Sequence, residues 1–256
     1  MTTKLTIGYF YKDQLNLYGD NGNVEILTMR ALRRNIYVDI VHIDTDLKIN
    51  SKAMSALDIV FMGGGPDSGQ KEVYKDLLKN KGDYLNEYIQ KGGVGLFICG
   101  AYQLLGHYYK ADDGTFIEGL GIYDMYTQHF GGRKARCVGN VVARLNSDFL
   151  SDPVFSEVNF LGGKIVGFCN HGGRSYLADD MAPLAYVERG YGNNGEDDTE
   201  GILFKNTLGT YFHGPLLSRN AHIADYLISK SLGMDSLPSI DNSLVIPAYT
   251  ASFKYK

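Results

Sequence analysis

The run Val94-Gly95-Leu96-Phe97-Ile98-Cys99-Gly100-Ala101-Tyr102-Gln103 constrains the fold more than any other stretch. An apolar strand ends abruptly at a cysteine and a glycine, and an amphipathic segment begins at once. Such a junction belongs at the carboxyl edge of a sheet, with the turn residue at a helix N-terminus. A thiol there sees the positive end of the helix dipole, which lowers its pKa and makes thiolate available. Unpaired backbone N–H groups lie beside it. The pattern is a nucleophile elbow with cysteine in place of serine. Taken alone, Cys99 reads equally well as a small buried hydrophobe.

The rest of the chain supplies the sheet. Leu5 to Phe10 and the alternating, β-branched Tyr37 to Ile43 read as strands, with a helix over Val24 to Arg34 between them. Asp58 to Met62 is a short buried strand opening into Gly63-Gly64-Gly65-Pro66-Asp67. Lys71 to Gln90 is helical with a break near Lys81-Gly82, Gly95 to Ile98 is the fourth strand, and a helix starts at Tyr102. This rhythm is that of an α/β fold, a central mostly parallel sheet. Beyond Gly121 the pattern changes to short strands, Arg136 to Leu145 and Lys164 to Cys169, with Asn170-His171-Gly172-Gly173-Arg174 and residues 190–198 as loops. Residues 201–205 and 208–212 form a hairpin around Asn206-Thr207, and His222 to Lys230 is a helix capped by Asn220. No shift in composition marks a linker. Residues 1–232 form one domain, and 233–256 a helix-poor extension of unassigned role.

Composition narrows the function classes. A net charge of -4 gives no ground for nucleic-acid binding. Three cysteines at 99, 137 and 169 are an odd, widely spaced set, so reduced thiols and a cytoplasmic location are expected. The chain enters its first strand without a signal peptide, and no apolar run approaches transmembrane length. Work at a membrane would come through a partner or a lipid-linked substrate. The cysteines lack CxxC spacing and there is no His-Glu-x-x-His, so no metal site is expected.

A cysteine nucleophile needs a base. Of six histidines, His129, His171 and His213 lie in loops or at strand ends. His213 follows the apolar strand Leu208 to Phe212 and so shares the carboxyl edge with Cys99, which makes it the best base on topology. His171 is the second choice, and both admit the plainer role of bridging loop carbonyls. A developing oxyanion needs donors: Gly100 N–H follows the nucleophile, and the glycines at 63–65 bring another N–H close because no Cβ intervenes. Those glycines lack the Lys-Ser/Thr ending of a nucleotide P-loop. Gln103, one turn beyond Cys99, would buttress the elbow, touch substrate or face solvent.

Cys99-Gly100-Ala101-Tyr102-Gln103 resembles the nucleophile motif of class I glutamine amidotransferases, in the branch related to cobyric acid synthase. Leu17-Tyr18-Gly19-Asp20-Asn21-Gly22-Asn23, Gly63 to Asp67, Asn170 to Arg174, Asn194 to Asp197 and His213-Gly214-Pro215 through Asn220 resemble one subfamily. It is the GatD-type glutaminase subunits of bacterial lipid II isoglutaminyl synthases. The resemblance covers roughly residues 5 to 230. It implies a flavodoxin-like three-layer sandwich and a glutaminase in which Cys99 attacks the side-chain amide of L-glutamine. His213 moves the protons, and a γ-glutamyl thioester is hydrolysed to glutamate. Gly100 N–H and an N–H in the Gly64–Gly65 region would hold the oxyanion, and Arg133 would hold the α-carboxylate; from the residues alone Arg133 reads as surface. It further implies a heterodimer with a Mur-ligase-like, MurT-type partner. That partner uses ATP and Mg to amidate the D-glutamate α-carboxylate of lipid II, with no cofactor in this subunit. The tyrosine-rich surface is compatible with an interface.

The sequence departs from the family pattern in three places. His213-Gly214-Pro215 has no acid two residues on, which implies a Cys–His dyad and leaves unnamed whatever orients the imidazole. Cys169 stands where related proteins usually carry glutamate before Asn-His, and a thiol does not replace a carboxylate's charge at neutral pH. At the elbow Phe97 stands where the wider class often has glycine, and Ala101 replaces a common glycine, the mildest such change. Two other classes fit less well: an amidase of cobyrinic or other type serving a different carboxylate, and a non-catalytic interaction subunit. The second has no need to keep Cys99, His213 and Arg133 together.

Overall fold

The segments Ile59–Met62, Val94–Ile98 and Thr207–Thr210 are buried at every residue, as strands covered by helices on both faces must be. They form the centre of the main sheet. The computed structural model describes residues 3–65 and 73–254. In chain order β1 (Lys4–Phe10), a helix at Asn21–Leu32, β2 (Tyr37–Ile43), β3 (Ile59–Met62), a helix at Gly82–Gln90 and β4 (Val94–Ile98) come first. The chain then passes through β5 (Tyr108–Lys110), β6 (Phe116–Glu118), β7 (Met125–His129), β8 (Cys137–Leu145), β9 (Lys164–His171), β10 (Gly173–Leu177), β11 (Ala185–Arg189) and β12 (Thr199–Glu200). It returns to the main sheet as the hairpin β13 (Ile202–Phe204) and β14 (Thr207–Thr210).

The main sheet has the order β13-β14-β4-β3-β1-β2, and only β13 is antiparallel. The step from β1 to β2 crosses the sheet one way, and the steps to β3 and β4 cross it the other way. Right-handed crossovers therefore put the Asn21–Leu32 helix on one face and the Ser51–Ser55 and Gly82–Gln90 helices on the other. The packing agrees: Asn21–Leu32 lies against the Ala221–Ser231 helix, and Ser51–Ser55 against Gly82–Gln90. The result is the expected three-layer α/β arrangement, with its topological switch between β1 and β3. Ligand sites in such sheets form outside the carboxyl ends of the strands, at that switch.

Two further four-stranded sheets, β10-β7-β5-β6 and β12-β11-β8-β9, lie outside this core. Here sequence and structure part. Residues 170–174 are not a loop: β9 runs on to His171 and β10 begins at Gly173. The polar composition hides two strands of different sheets, β9 paired with β8 and β10 with β7, that follow each other directly across Gly172. Both ring nitrogens of His171 lie at hydrogen-bond distance from carbonyls, Gly173 O at 2.6 Å and Gly192 O at 3.1 Å. Gly172 is pressed so close to the His129 ring that a Cβ would lie 2.0 Å from its Nε2.

The first helix begins at Asn21, three residues earlier than its apolar spacing suggests. Asn220 does not cap with its side chain. Its Oδ1 accepts from Val166 N–H at 2.9 Å and its Nδ2 donates to the Val166 and Leu216 carbonyls, tying β9 to the late helices. The break near Lys81 is a wide turn at Leu77–Lys81 that runs into Gly82–Gln90. Pro66, Asp67 and the start of the helix expected from Lys71 lie outside the described residues.

Residues 233–254 pack onto the domain and include a helix at Val245–Ser252. A buried charge cluster fastens them. Arg30 grips Asp225 through two bonds of 2.6 Å, and Arg34 adds a third of 2.8 Å. The same arginines donate onward to the Asn242 side chain at 3.1 Å and the Pro238 carbonyl at 2.8 Å. Tyr249 donates to the Lys164 carbonyl at 2.7 Å. Asp225→Ala leaves two buried guanidinium groups without their carboxylate and should cost about 3–5 kcal/mol. Urea unfolding measures the loss, and limited proteolysis should show cleavage within 233–254. A change below about 1 kcal/mol would mean that the pair is not the fastening.

Candidate active site

Four segments meet at the carboxyl edge of the main sheet: the loop after β1, the glycines after β3, the turn after β4 and the stretch after β14. Cys99 occupies the turn after β4 with φ +48° and ψ −103°, a conformation of the kind that costs about 1–3 kcal/mol and persists only where the surroundings enforce it. Its N–H donates to Thr210 O at 2.8 Å, and its carbonyl accepts from Gln103 N–H at 2.9 Å. The Gly100–Leu104 helix starts immediately after it, so the thiol stands at a helix N-terminus whose first N–H groups have no preceding turn to bond.

His213 is held by backbone bonds in both directions with Phe168, its N–H reaching Phe168 O at 2.9 Å. The ring is fully buried. Its Nδ1 lies 3.0 Å from Asp20 Oδ1, and the other Asp20 oxygen accepts the Gly64 N–H at 2.8 Å. Nε2 has no hydrogen-bond partner among the described residues, and the Cys99 sulfur is a charged neighbour that acts on the ring. Tyr18, itself at φ +55°, lies edge-on to the imidazole with centroids 5.0 Å apart, and its hydroxyl accepts from Asn170 Nδ2 at 2.6 Å.

Gly64 is the point on which these groups converge. A Cβ at this position would lie 2.8 Å from His213 Cε1, 3.0 Å from Cys99 Cβ and 3.2 Å from Asp20 Oδ2. Any side chain there would push the three apart. Its neighbours are as tight: a Cβ on Gly63 would meet Leu15 O at 2.3 Å, and one on Gly65 would meet Gln14 O at 2.7 Å.

The electrostatics follow from this packing. Burial alone would pull the His213 imidazole down, but the Cys99 sulfur and the Asp20 carboxylate outweigh it and raise the ring to about 10. His171 lies in the opposite situation: burial lowers it to about 4, with only the Gly173 and Gly192 carbonyls and no carboxylate favouring its charged form. It stacks on Tyr211 at 3.7 Å, so it is a neutral packing group. Burial pushes the Cys169 thiol well up, keeping it neutral. Glu200, wholly buried, is raised to about 7 by burial, against the bonds its carboxylate accepts from Thr210 Oγ1 at 2.5 Å and Tyr211 N–H at 3.0 Å.

The residues singled out in the sequence divide accordingly. Cys99, His213, Gly64 and Gly100 come together. Gly64 N–H, however, is taken by Asp20, so in the Gly64–Gly65 region the oxyanion donor has to come from elsewhere than that group. Gln103 is buried and donates to Tyr211 OH at 3.0 Å, part of a network that runs on through Ser175 to Thr127. It buttresses the elbow. Arg133 ends the short turn Gly131–Arg133, exposed, with its Nε bonded to Phe130 O at 3.2 Å; among the described residues no hydrogen bond joins it to Cys99 or His213. Asp20 is the residue that sequence reasoning missed. The motif Leu17 to Asn23 contains it, but 193 positions separate it from His213. Among the described residues, no cluster of His, Cys, Asp or Glu could hold a metal ion, and no helix is long and apolar enough to cross a membrane.

Comparison with known proteins agrees with this architecture. Among solved structures, PurLQS from Thermotoga maritima superposes with a TM-score of 0.59 at 14% identity, over 91% of this chain and 99% of that one. The glutaminase domain of Trypanosoma brucei CTPS gives 0.54 at 10% identity, over 92% and 98%. At these identities the likeness is one of fold. By sequence, the lipid II isoglutaminyl synthase (glutamine-hydrolyzing) subunit GatD of Staphylococcus aureus strain N315 is 44% identical over 249 residues. The match covers 96% of this chain and 93% of that protein. The subunit of the same name from Streptococcus pneumoniae strain R6 is 40% identical, over 94% and 87%. A probable cobyric acid synthase of Methanococcus maripaludis strain C7 is 32% identical, over 69% of this chain and 34% of its own length. The model of the CobB/CobQ-like glutamine amidotransferase domain matches residues 6–221, and the chain belongs to that family.

Proposed function

We propose that this chain is the glutaminase subunit of a lipid II isoglutaminyl synthase. The observation that carries the reading is the convergence of Cys99, His213 and Asp20 on Gly64, in a chain that matches the GatD subunits over nearly its whole length. The Cys99 thiolate attacks the side-chain amide carbon of L-glutamine, and the carbonyl electrons move onto oxygen. Gly100 N–H, at the helix start, and a second backbone N–H in the Gly65 region face that oxyanion. Collapse expels the amide nitrogen, which takes the proton on His213 Nε2 and leaves as ammonia. Neutral His213 then removes a proton from water as it attacks the thioester carbon. Release of glutamate regenerates the thiolate beside the imidazolium.

Asp20 is a positioning residue: it fixes the ring so that Nε2 faces sulfur and stabilises the imidazolium. This extends the expected dyad to a Cys–His–Asp relay. Arg133 holds the α-carboxylate of glutamine, which suits a planar, permanently charged fork on an exposed turn. The chain itself needs no cofactor. Its ammonia passes to a MurT-type, Mur-ligase-like subunit that spends ATP with Mg to amidate the D-glutamate α-carboxylate of lipid II. The complex works in the cytoplasm at the inner face of the membrane.

Incubation with a diazo-ketone analogue of glutamine should add one label to Cys99, blocked by excess L-glutamine. Cys99→Ala and His213→Ala should each lower glutaminase kcat by roughly a thousandfold with the fold intact. A fully active Cys99→Ala protein would sink the mechanism. Arg133→Ala should raise the glutamine KM about tenfold with kcat little changed; an unchanged KM removes it from the site. Asp20→Asn deletes the carboxylate charge that helps hold His213 protonated. Loss of the proton donor should then set in earlier as pH rises, moving the alkaline limb of the kcat profile down by about 1–3 pH units. A loss of rate equal at every pH would instead assign Asp20 a merely structural part.

A further inference from the structure

Tyr18 stands out in the loop that carries Asp20. It is a bulky aromatic residue at φ +55° and ψ +25°, left-handed backbone that glycine adopts freely and side chains of this size avoid. Such strain persists only where the surroundings over-determine it, and it gathers at functional sites. The loop is pinned on both sides of Tyr18. Leu17 N–H donates to Gly64 O at 2.9 Å, and Asn23 Oδ1 accepts the Leu217 N–H at 2.9 Å. Gly22 is so close to Pro215 that a Cβ would lie 2.3 Å from its Cγ. The side chain is pinned as well. Its hydroxyl accepts from Asn170 Nδ2 at 2.6 Å, and Asn170 Oδ1 in turn accepts from Arg136 Nη2 at 3.0 Å.

What this clamp holds is a ring against the histidine. The phenol and imidazole centroids are 5.0 Å apart, with their planes at 71°. Tyr18 is 45% exposed and His213 is wholly buried, so the phenol ring belongs to the layer between the imidazole and solvent. The backbone bonds to Phe168 fix where the histidine starts, and Asp20 fixes its Nδ1. Neither stops the imidazole from rocking about the Nδ1 bond; a rigid ring packed against it does. We infer that Tyr18 is a positioning residue of the glutaminase site: its phenol ring walls His213 off from water and keeps the imidazole from turning, so that Nε2 holds its place through both proton transfers. The inference rests on the glutaminase reading above. The same wall excludes water that would screen the attraction of the imidazolium to the Asp20 carboxylate and the Cys99 sulfur. The hydroxyl serves to keep the ring in place, and the ring is the working part. Stability alone does not account for a tyrosine here, because glycine suits this backbone better.

The test uses the full chain with its Mur-ligase-like subunit present in every assay. Tyr18→Gly removes the ring and relieves the backbone, so its urea midpoint should not fall below wild type. Its glutaminase kcat should drop by about thirtyfold, with the glutamine KM within about threefold of wild type. Tyr18→Phe keeps the ring and should retain kcat to within about threefold. Because Tyr18 acts through His213, adding Tyr18→Gly to His213→Ala should change the residual rate by less than about twofold. A Tyr18→Gly enzyme as fast as wild type overturns the inference. So does a loss carried by KM, which makes Tyr18 a substrate contact, and so does an equal loss in Tyr18→Phe, which gives the role to the hydroxyl. A lowered urea midpoint, or a further loss in the His213→Ala background, makes the residue structural and overturns it as well. Each of these outcomes leaves the glutaminase standing. A folded wild-type chain that neither hydrolyses glutamine nor labels at Cys99 ends the glutaminase reading itself.

Discussion

The carboxylate of Asp20 does two jobs at once. One oxygen holds His213 and the other holds the Gly64 backbone, so the base and the floor of the site are set by one group. Neither bond would form at its observed length if residue 64 had a side chain, because Cys99, His213 and Asp20 already fill the space a Cβ needs. The loop from β1, the glycines from β3 and the ends of β4 and β14 are thereby locked to a common point. This explains why the main sheet places its switch beside that point. Strands that diverge in opposite directions leave the crevice into which four loops can converge.

The strain at Cys99 is held from behind. Thr210 accepts its N–H, and Gln103 returns a bond to its carbonyl while its own side chain reaches Tyr211. His171 stacked on Tyr211, and Ser175 bonded to it, extend the support into β9 and β10. The outer sheets are thus the brace for the elbow. Gln103 Nε2 and the hydroxyls of Tyr211, Ser175 and Thr127 are buried and bonded in one chain, the condition under which such a network rigidifies.

The parallel core was legible in the sequence because a strand buried on both faces leaves an unbroken apolar run, as at Ile59–Met62 and Val94–Ile98. The cysteine and its histidine were legible for a related reason, since each follows such a run and inherits its edge. The partner of that histidine was not. Asp20 sits at a helix start in a glycine- and asparagine-rich loop, where an aspartate ordinarily reads as a turn or cap residue. Only the sheet order brings the end of β1 within reach of the end of β14. Asn220 misled in the same way, because a residue type favoured at caps was used for a long-range bond to Val166. The end of β9 and the start of β10 escaped notice because their polar side chains reach backbone carbonyls elsewhere in the fold, His171 that of Gly192 and Arg174 those of Ala135 and Asn194, and so mimic a loop.

The missing acid after His213 and the missing glutamate at position 169 are problems of the same kind with different answers. The histidine needs a negative charge at Nδ1, and the β1 loop supplies it from the other end of the chain. At position 169 no charge is required by the neighbours, and none is present. Burial keeps the thiol neutral, and a buried acid of that region is Glu200, whose Oε1 accepts from both Thr210 and Tyr211. Thr210 is also the residue whose carbonyl receives the Cys99 N–H. The acid behind the site therefore acts on the elbow through the backbone of β14, whereas the acid beside it acts on the imidazole directly. A carboxylate's place in the chain matters less than which strand end it is tied to.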